Sequence, residues 1–325
     1  MSIISVKDSV VVDINKDLQW LADAHPIMNL PDGIEAFIPS DHLKNPHHIP
    51  ASWRTYPEPP AYRLGRQFED CIALLLQQSA DAQLLQRNLI ITGENRTLGE
   101  LDCLYTNAAG ECIHLELAIK FYLYRGDENA LASDLVYGSE TGLENFVGPG
   151  GKDRLDKKWQ RLIQHQLPIS STPAAIAAMH NAGLSTPTHR QLLLTGLLFY
   201  PYQDWQTYPL ANKSLSPQHN RGWWLFQHQI NQLLCEAEVA FIVLPRWYWI
   251  GGLHHYESPA PLTHEELMYN VLEDSEPKMI AIIKWNTQGQ CWEECSRGFI
   301  VRNDWPASHS GLGSASNNKR KGMKI

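Results

Sequence analysis

The sequence has no excess of positive charge, no cysteine framework and no long hydrophobic run. Its 325 residues carry 27 Lys and Arg against 35 Asp and Glu, which gives a formal net charge of −8. A protein of this charge is not a general nucleic-acid coat, so any polyanion must bind at a local basic patch. Of the six scattered cysteines only Cys291 and Cys295 lie close together, so we expect free thiols and no four-ligand zinc site.

Hydrophobic segments long enough for a membrane are also missing. The longest apolar runs, such as FIVL, are far too short to cross a bilayer. The start, MSIISVKDSV, lacks the basic and apolar regions of a signal peptide. These absences predict a cytoplasmic protein with no membrane partner. The hydrophobic share of 43% and the charged share of 19% are typical of a globular protein.

Composition divides the chain into four regions. Residues 1–60 begin with a helical pattern and become rich in Pro and His, which suggests a segment that covers a later core. Residues 61–200 carry the regular apolar patterns of an α/β core. Residues 201–305 contain eight of the eleven tryptophans and are predicted to form a β-rich lobe. Residues 306–325 have few apolar side chains and are predicted to be a disordered tail.

Residues 61–200 predict a helix, three strands, a helix and a strand, in that order. The first helix, YRLGRQFEDCIALLLQQSA, has Phe68, Ile72, Leu75 and Leu76 at helical spacing, so they should face a sheet. Turn-like GENRT and NAAGE join the strands LLQRNLIIT, GELDCLYT and CIHLELAIKFYLY, which favours an antiparallel meander. KDRLDKKWQRLIQHQL predicts the second helix, and the apolar run RQLLLTGLLFY suits a strand buried on both faces. The predicted fold class is α/β with a mixed α+β sheet.

The tryptophan-rich region allows two interpretations. EVAFIVLPRWYWIGGL and MIAIIKWNTQGQCWEE are predicted strands, the second a hairpin around NTQGQ. Trp223, Trp224, Trp247 and Trp249 could stack on nucleic-acid bases. Aromatic residues in strands more often fill a core.

Charged side chains are expected to gather on one face of the second and third strands. Side chains alternate along a strand with period two, so Glu100 and Asp102 share one face of the second strand. Glu116, Ala118 and Lys120 share the matching face of the third, whereas the opposite faces are apolar. Carboxylates on neighbouring strands repel one another unless a cation lies between them.

A divalent hard metal ion would relieve this repulsion, because carboxylates and water are the ligands that Mg²⁺ prefers. A nearby lysine could then stabilise charge that develops on a phosphate. The alternative is that these side chains form the solvated face of an antiparallel sheet. The flanking helices argue that this face is covered, and Glu69, near the start of the first helix, could supply a further carboxylate.

The helix with GRQFE, the strand with GELD and the strand with HLELAIK resemble the PD-(D/E)XK nuclease superfamily. The resemblance covers roughly residues 61–200 and implies a restriction-endonuclease-like core of helix, three strands, helix and strand. More closely, the chain resembles an uncharacterised bacterial family defined only as a domain of unknown function.

By this resemblance, Asp102 and Glu116 take the places of the two acids that hold Mg²⁺ or Mn²⁺. Glu69 corresponds to the helix carboxylate that many members use as a further ligand. The superfamily has a lysine two residues after the second acid, where this chain has Ala118. Lys120 lies two residues further along the same face, about 6.6 Å away, within reach of its long side chain. The resemblance therefore implies Asp102, Glu116, Glu69 and Lys120 as the catalytic residues, the first three as metal ligands.

The second helix carries a candidate nucleic-acid surface. Arg154, Lys158 and Arg161 should fall on one face by their spacing of four and three residues, and such a face could follow a phosphate backbone. The alternative is an ordinary solvated helix face with pairs to Asp153 and Asp156.

The expected function is that of a metal-dependent phosphodiesterase, or nuclease, that acts on nucleic acid with a displaced catalytic lysine. The alternative is a member that has lost catalysis and binds nucleic acid or a protein partner. Ala118 in the position of the usual lysine favours the alternative, whereas Asp102, Glu116 and Lys120 favour the enzyme.

Overall fold

The computed structural model describes residues 14–42, 63–126, 142–210, 212–233, 238–251, 253, 260–272 and 276–306. The predicted tail from residue 307 onward lies outside these ranges, as do residues 43–62. The helices are α1 (Ile14–Ala22), α2 (Leu64–Gln78), α3 (Leu155–Arg161), α4 (Leu167–Ile169), α5 (Pro173–Asn181) and α6 (His264–Leu272), and a π-helical turn, Leu162–Gln166, joins α3 to α4. The strands are β1 (Glu35–Ala36), β2 (Ala82–Thr92), β3 (Thr97–Asn107), β4 (Cys112–Tyr124), β5 (Phe146–Val147), β6 (His189–Pro201), β7 (Asn220–Phe226), β8 (Val239–Leu244), β9 (Lys278–Asn286) and β10 (Cys291–Val301).

One mixed sheet of ten strands forms the centre of the described structure. Its main path is β2–β3–β4–β6–β7–β10–β9–β8, with β1 paired to β6 and β5 paired to β4. Neighbouring strands are parallel from β4 to β10 and antiparallel at both ends of the path. The sheet continues across the predicted boundary at residue 200, because β7 pairs directly with β6.

The predicted order of elements is present between residues 61 and 200. α2 precedes the antiparallel meander β2–β3–β4, and α3 and β6 follow, with β6 parallel to β4. The predicted hairpin around NTQGQ is the antiparallel pair β9–β10. The α/β class with a mixed sheet is therefore confirmed. None of the described helices is long and apolar enough to span a membrane.

Both faces of β4 are covered, because its two sets of alternating side chains pack against different helices. Phe68, Ile72, Leu75 and Leu76 of α2 are buried in one cluster with the odd-numbered residues of β4, as predicted. Removing each such side chain from water stabilises the fold by about 1.5–3 kcal/mol. On the other face, Ala118 belongs to a second cluster with apolar residues of α3 and the π-helical turn. The one acid of β4, Glu116, is on this second face and therefore lies beneath a helix.

Two tryptophans of the predicted lobe belong to the core. Trp223 and Trp224 on β7 are buried. The indole N–H of Trp223 donates to Ser296 Oγ at 3.1 Å, and that of Trp224 donates to the Tyr124 carbonyl at 2.9 Å. Both rings are enclosed and both N–H donors are satisfied. These two tryptophans therefore fill the core and are not available to stack on nucleic-acid bases.

A close backbone approach between β4 and β6 supports the acid-bearing strand. Gly196 pairs in register with Lys120 and has a φ of +133°. A Cβ at this position would overlap the Lys120 carbonyl oxygen. Only glycine therefore allows β6 to lie against β4 here.

We predict that Gly196→Ala lowers the free energy of unfolding by more than about 3 kcal/mol, because backbone strain and a backbone clash add. Urea denaturation measures this loss. Gly65→Ala in α2 is the control, since nothing lies within 4 Å of its Cβ position and alanine favours a helix by about 1 kcal/mol. Similar small effects for both variants would contradict the close approach.

Candidate active site

The candidate site lies where β3 and β4 diverge. The two strands pair only over residues 103–106 of β3. Beyond this point β3 stays with β2, and β4 stays with β6. One further step of the same register sets Asp102 opposite Glu116. There the Leu117 N–H donates to Asp102 Oδ2 at 2.9 Å, so this carboxylate takes the place of a backbone carbonyl of a neighbouring strand. Asp102 is thereby fixed at the point where β3 and β4 diverge, which we call the fork.

Glu116 is fully buried and held by two polar side chains. Its Oε1 lies 2.9 Å from His114 Nε2, and its Oε2 accepts from Gln166 Nε2 at 2.8 Å. Burial lowers the pKa of His114 to about 4, so this imidazole is neutral near pH 7. Its Nδ1 lies 3.1 Å from Ser170 Oγ, so the ring is held between Ser170 and Glu116. The solvated-face alternative is therefore wrong for Glu116.

The acid pair is electrostatically unfavourable. Burial, together with the nearby Glu116 carboxylate, raises the pKa of Asp102 to about 7. Burial also raises the pKa of Glu116 to about 7. Two carboxylates in such a place favour binding a proton or a cation.

Lys158 of α3 is a cation within electrostatic reach of this pair. Its Nζ donates to Gln166 Oε1 at 3.0 Å, and Gln166 in turn donates to Glu116. Burial and the positive charge of Lys120 lower the pKa of Lys158, whereas Asp102 and Glu116 act in the opposite direction. Lys158 is therefore half-buried between the acid pair and another lysine.

Lys120 lies on the same side of β4 as Glu116, as the alternation predicts, but it has a different partner. Its Nζ lies 2.6 Å from Asp153 Oδ2, just before α3. The ion pair is partly exposed. Lys120 is therefore held by an acid outside the pair formed by Asp102 and Glu116.

Glu69 lies near the acid pair without joining it. Its Oε2 accepts from Asn88 Nδ2 at 3.3 Å, and its charge contributes a minor upward effect on the pKa of Asp102. Within the described ranges, no three side chains of His, Cys, Asp or Glu form a group that could hold a metal ion. The three-ligand set of Asp102, Glu116 and Glu69 stays a prediction.

The three basic residues of the predicted nucleic-acid surface have different surroundings. Arg154 precedes α3 in an extended conformation, outside the helical periodicity, and its Nε donates to Asp156 Oδ1 at 2.9 Å. Lys158 faces the acids, and Arg161 is exposed. The structure therefore does not bring all three into one exposed strip, and their role in binding stays a prediction.

A cleft of about 360 Å³ opens beside Asp102 between β3 and the π-helical turn. Glu100, Arg161, His165 and Gln166 also line it. Such wide turns are frequent at functional sites. Nothing in the sequence pattern points to a role for His165 or Gln166, and no local pattern marks the turn. His114 could have been found, because alternation sets it on the face of Glu116.

A family model described as a domain of unknown function, DUF1853, matches residues 16–301. The chain belongs to the DUF1853 family. The match includes the acid pair, α2, α3 and the whole described sheet, so the predicted membership of a family of unknown function is confirmed. Comparison with curated proteins and with solved structures found no match, and the PD-(D/E)XK assignment stays a prediction.

The acid pair of this DUF1853 chain fits a hard divalent cation by its donor chemistry. Asp102 and Glu116 present carboxylate oxygens, which Mg²⁺ and Mn²⁺ prefer. The hydrogen bonds from His114 and Gln166 use one lone pair on each Glu116 oxygen, and a carboxylate oxygen has two. A cation could therefore bind without displacing either donor.

The pKa values of the acid pair predict a pH dependence of stability. Both values lie near 7 in the folded chain and near 4 in an unfolded one. Between about pH 4 and 7 the folded state therefore holds more protons, so the free energy of unfolding should fall as the pH rises through this window. The fall should reach several kcal/mol, because each unit of pKa shift corresponds to about 1.4 kcal/mol. Urea denaturation at pH values across the window, without divalent metal, measures the fall.

Asp102→Asn should reduce this pH dependence, because it removes one acid and the repulsion felt by the other. Glu100→Gln is the control, since Glu100 is exposed. Millimolar Mg²⁺ should also reduce the fall in the unmodified chain. A pH dependence that is the same in Asp102→Asn and in the unmodified chain would contradict the electrostatic interpretation.

Proposed function

We propose that this protein is a metal-dependent phosphodiesterase that acts on nucleic acid, with Asp102 and Glu116 as its metal-binding acids. The observation that carries the proposal is the acid pair at the fork of β3 and β4, formed by buried Glu116 and half-buried Asp102, with both pKa values raised to about 7. Acids with strongly shifted pKa values beside a cleft are typical of functional sites. The element order α2, β2–β4, α3 and β6 supports a PD-(D/E)XK assignment with a restriction-endonuclease-like core.

Each residue around the pair has a role in this proposal. Bound Mg²⁺ or Mn²⁺ would polarise the scissile phosphate and lower the pKa of an attacking water. Asp102 and Glu116 would hold the ion, and Glu69 would add a carboxylate through water. His114 and Gln166 orient Glu116 by their hydrogen bonds, as outer partners of metal ligands commonly do.

We assign the positive charge beside the scissile phosphate to Lys158. Lys158 is linked to Glu116 through Gln166, at 3.0 Å and 2.8 Å, in half-buried surroundings where a charge acts more strongly than in water. Lys120, the residue expected from the sequence, is held by Asp153. Lys120 as the catalytic lysine is the competing hypothesis.

A second candidate function is that of a superfamily member that has lost catalysis, here called the retired member, and binds nucleic acid or a protein partner. Both oxygens of Glu116 already accept or share internal hydrogen bonds. Lys158 supplies positive charge near the acids, and Ala118 stands where the resemblance expects lysine. These observations favour a pair stabilised internally and no longer used for cleavage.

Calorimetric titration of Mg²⁺ and Mn²⁺ separates the candidates. The enzyme proposal expects one binding site that is lost in Asp102→Asn and kept in the exposed control Glu100→Gln. Absence of metal binding would contradict the proposal. Metal binding with no cleavage of single- or double-stranded DNA or RNA would favour the retired member.

The assignment of the lysine gives a further prediction. Lys158→Met should lower the rate of metal-dependent cleavage by about 10²–10³ and leave metal binding intact, because lysine is not a ligand. Lys120→Met should lower the rate at saturating substrate by less than about tenfold, as expected for a charge that contacts no reacting atom. Single-turnover cleavage of both variants, with urea denaturation as a folding check, measures the difference. The opposite order would restore Lys120 as the catalytic lysine.

A further inference from the structure

We propose that a groove along the open edge of β4 is a second phosphate-binding subsite, where Lys120, Lys152 and Arg246 hold a phosphate of a polynucleotide away from the scissile bond. The inference rests on the proposed function of the acid pair and extends it. It identifies the substrate as a polynucleotide and not a small phosphodiester.

The groove exists because β3 has left β4. Between Leu117 and Tyr122, β4 keeps β6 as its neighbour on one side, while β3 pairs only with β2. β5 pairs with the other side of β4 at Leu123 and Tyr124. On the vacated side, a groove of about 400 Å³ is lined by Lys120, Lys152, Asp153, Arg246 and Trp249. The divergence that creates the acid pair therefore also opens this groove.

The groove has three basic side chains, which suit a phosphate and outnumber its two acids, Asp153 and Glu276. Lys152 and Arg246 are exposed, and the Arg246 guanidinium lies 5.7 Å from the centre of the Trp249 ring. Stacking on an aromatic ring orients an arginine and leaves its N–H groups for a bidentate phosphate contact. The ion pair between Lys120 and Asp153 has side chains 29% and 47% exposed. Pairs this exposed add little stability, so a phosphate can replace Asp153 as the partner of Lys120.

Tyr122 provides an independent observation beside this ion pair. Its hydroxyl is buried and has no hydrogen-bond partner among the described residues. Burial and the nearby Asp153 carboxylate raise its pKa, although the two groups form no hydrogen bond of normal geometry. When a phosphate takes Lys120, the released Asp153 can accept the Tyr122 hydroxyl. The exchange therefore lets the contact between Tyr122 and Asp153, which is already close enough to raise the tyrosine pKa, become a full hydrogen bond.

The spacing along β4 gives the length of the substrate. Lys120 is four residues beyond Glu116, which is about 13 Å along a strand. The rise of about 3.4 Å per nucleotide in B-DNA is measured along the helix axis, and successive phosphates are further apart than this because the backbone winds around that axis. The second subsite therefore lies about two nucleotides from the acid pair, beyond the single phosphodiester of a dinucleotide.

Binding of fluorescent thymidine oligonucleotides without divalent metal tests the subsite. Changing Lys120, Lys152 and Arg246 together to Gln should weaken binding of a dodecanucleotide by about tenfold or more. The slope of log K against log salt concentration should become shallower by about 0.7 for each phosphate that the groove no longer neutralises. A dinucleotide should bind equally to both proteins. The matched control changes three exposed lysines outside the groove, Lys157, Lys213 and Lys284, to Gln. Equal weakening in the control would overturn the subsite.

Two acids that precede or begin α3 test the exchange of partners. Asp153→Asn should strengthen dodecanucleotide binding by about threefold, because Lys120 loses a competing anion. Asp156→Asn makes the same charge change, but Asp156 is held by Arg154, so it should have little effect. Equal strengthening by both would contradict the exchange.

The subsite and the cleavage proposal fail in different ways. Asp102→Asn should abolish metal-dependent cleavage. The affinity that the triple groove variant loses for the dodecanucleotide without metal should be the same in the Asp102→Asn background as in the unmodified one. If the unmodified protein cleaves nothing but the triple groove variant still loses affinity for the dodecanucleotide alone, the subsite stands and the enzyme proposal falls. If cleavage occurs and the triple variant binds both oligonucleotides normally, the subsite falls alone.

Discussion

The hydrogen bond from the Leu117 amide to Asp102 Oδ2 is the interaction on which the candidate site depends. Once β3 turns away from β4, this amide has no strand partner, and a buried amide without a partner costs about 1–3 kcal/mol. Asp102 satisfies the amide and is thereby fixed opposite Glu116. The same divergence leaves the edge of β4 open further along the strand. One departure from regular pairing thus produces both the acid pair and the groove beside Lys120.

The network around Glu116 explains how a carboxylate is tolerated under a helix. His114 and Gln166 contact its two oxygens, and Lys158 reaches it through Gln166. Gln166 ends the π-helical turn, while His114 is set on the acid face by strand alternation. Polar groups from the strand and from the covering helical segment therefore meet at one carboxylate. Such a network is stable only when every member is satisfied, so the acid also constrains how this segment packs on β4.

Most of the order of elements, and the face shared by Asp102 and Glu116, could be predicted from sequence because strand and helix periods are local properties. The fork could not be predicted from sequence, because it depends on which strands pair with one another, and that pairing is not a local property. The position of Lys158 beside the acids could not be predicted for a related reason. The prediction began the helix near Lys152, but α3 begins at Leu155, and the rotation of a helix against a sheet is set by packing. No local signal marks the π-helical turn that brings in Gln166.

The charges at the fork bear directly on whether the site can hold a metal. When Asp102 and Glu116 are both ionised they carry two negative charges, and Lys158 offsets one of them. Below about pH 7 a shared proton can offset the other, which leaves a divalent cation little to gain. Above that pH the acid pair keeps one negative charge that Lys158 does not offset, and the carboxylate of Glu69 lies close by. This unbalanced charge favours the binding of a cation in addition to Lys158. The lysine is therefore a partial counter-charge, and the surplus of acid at the fork is the physical reason to expect a metal there.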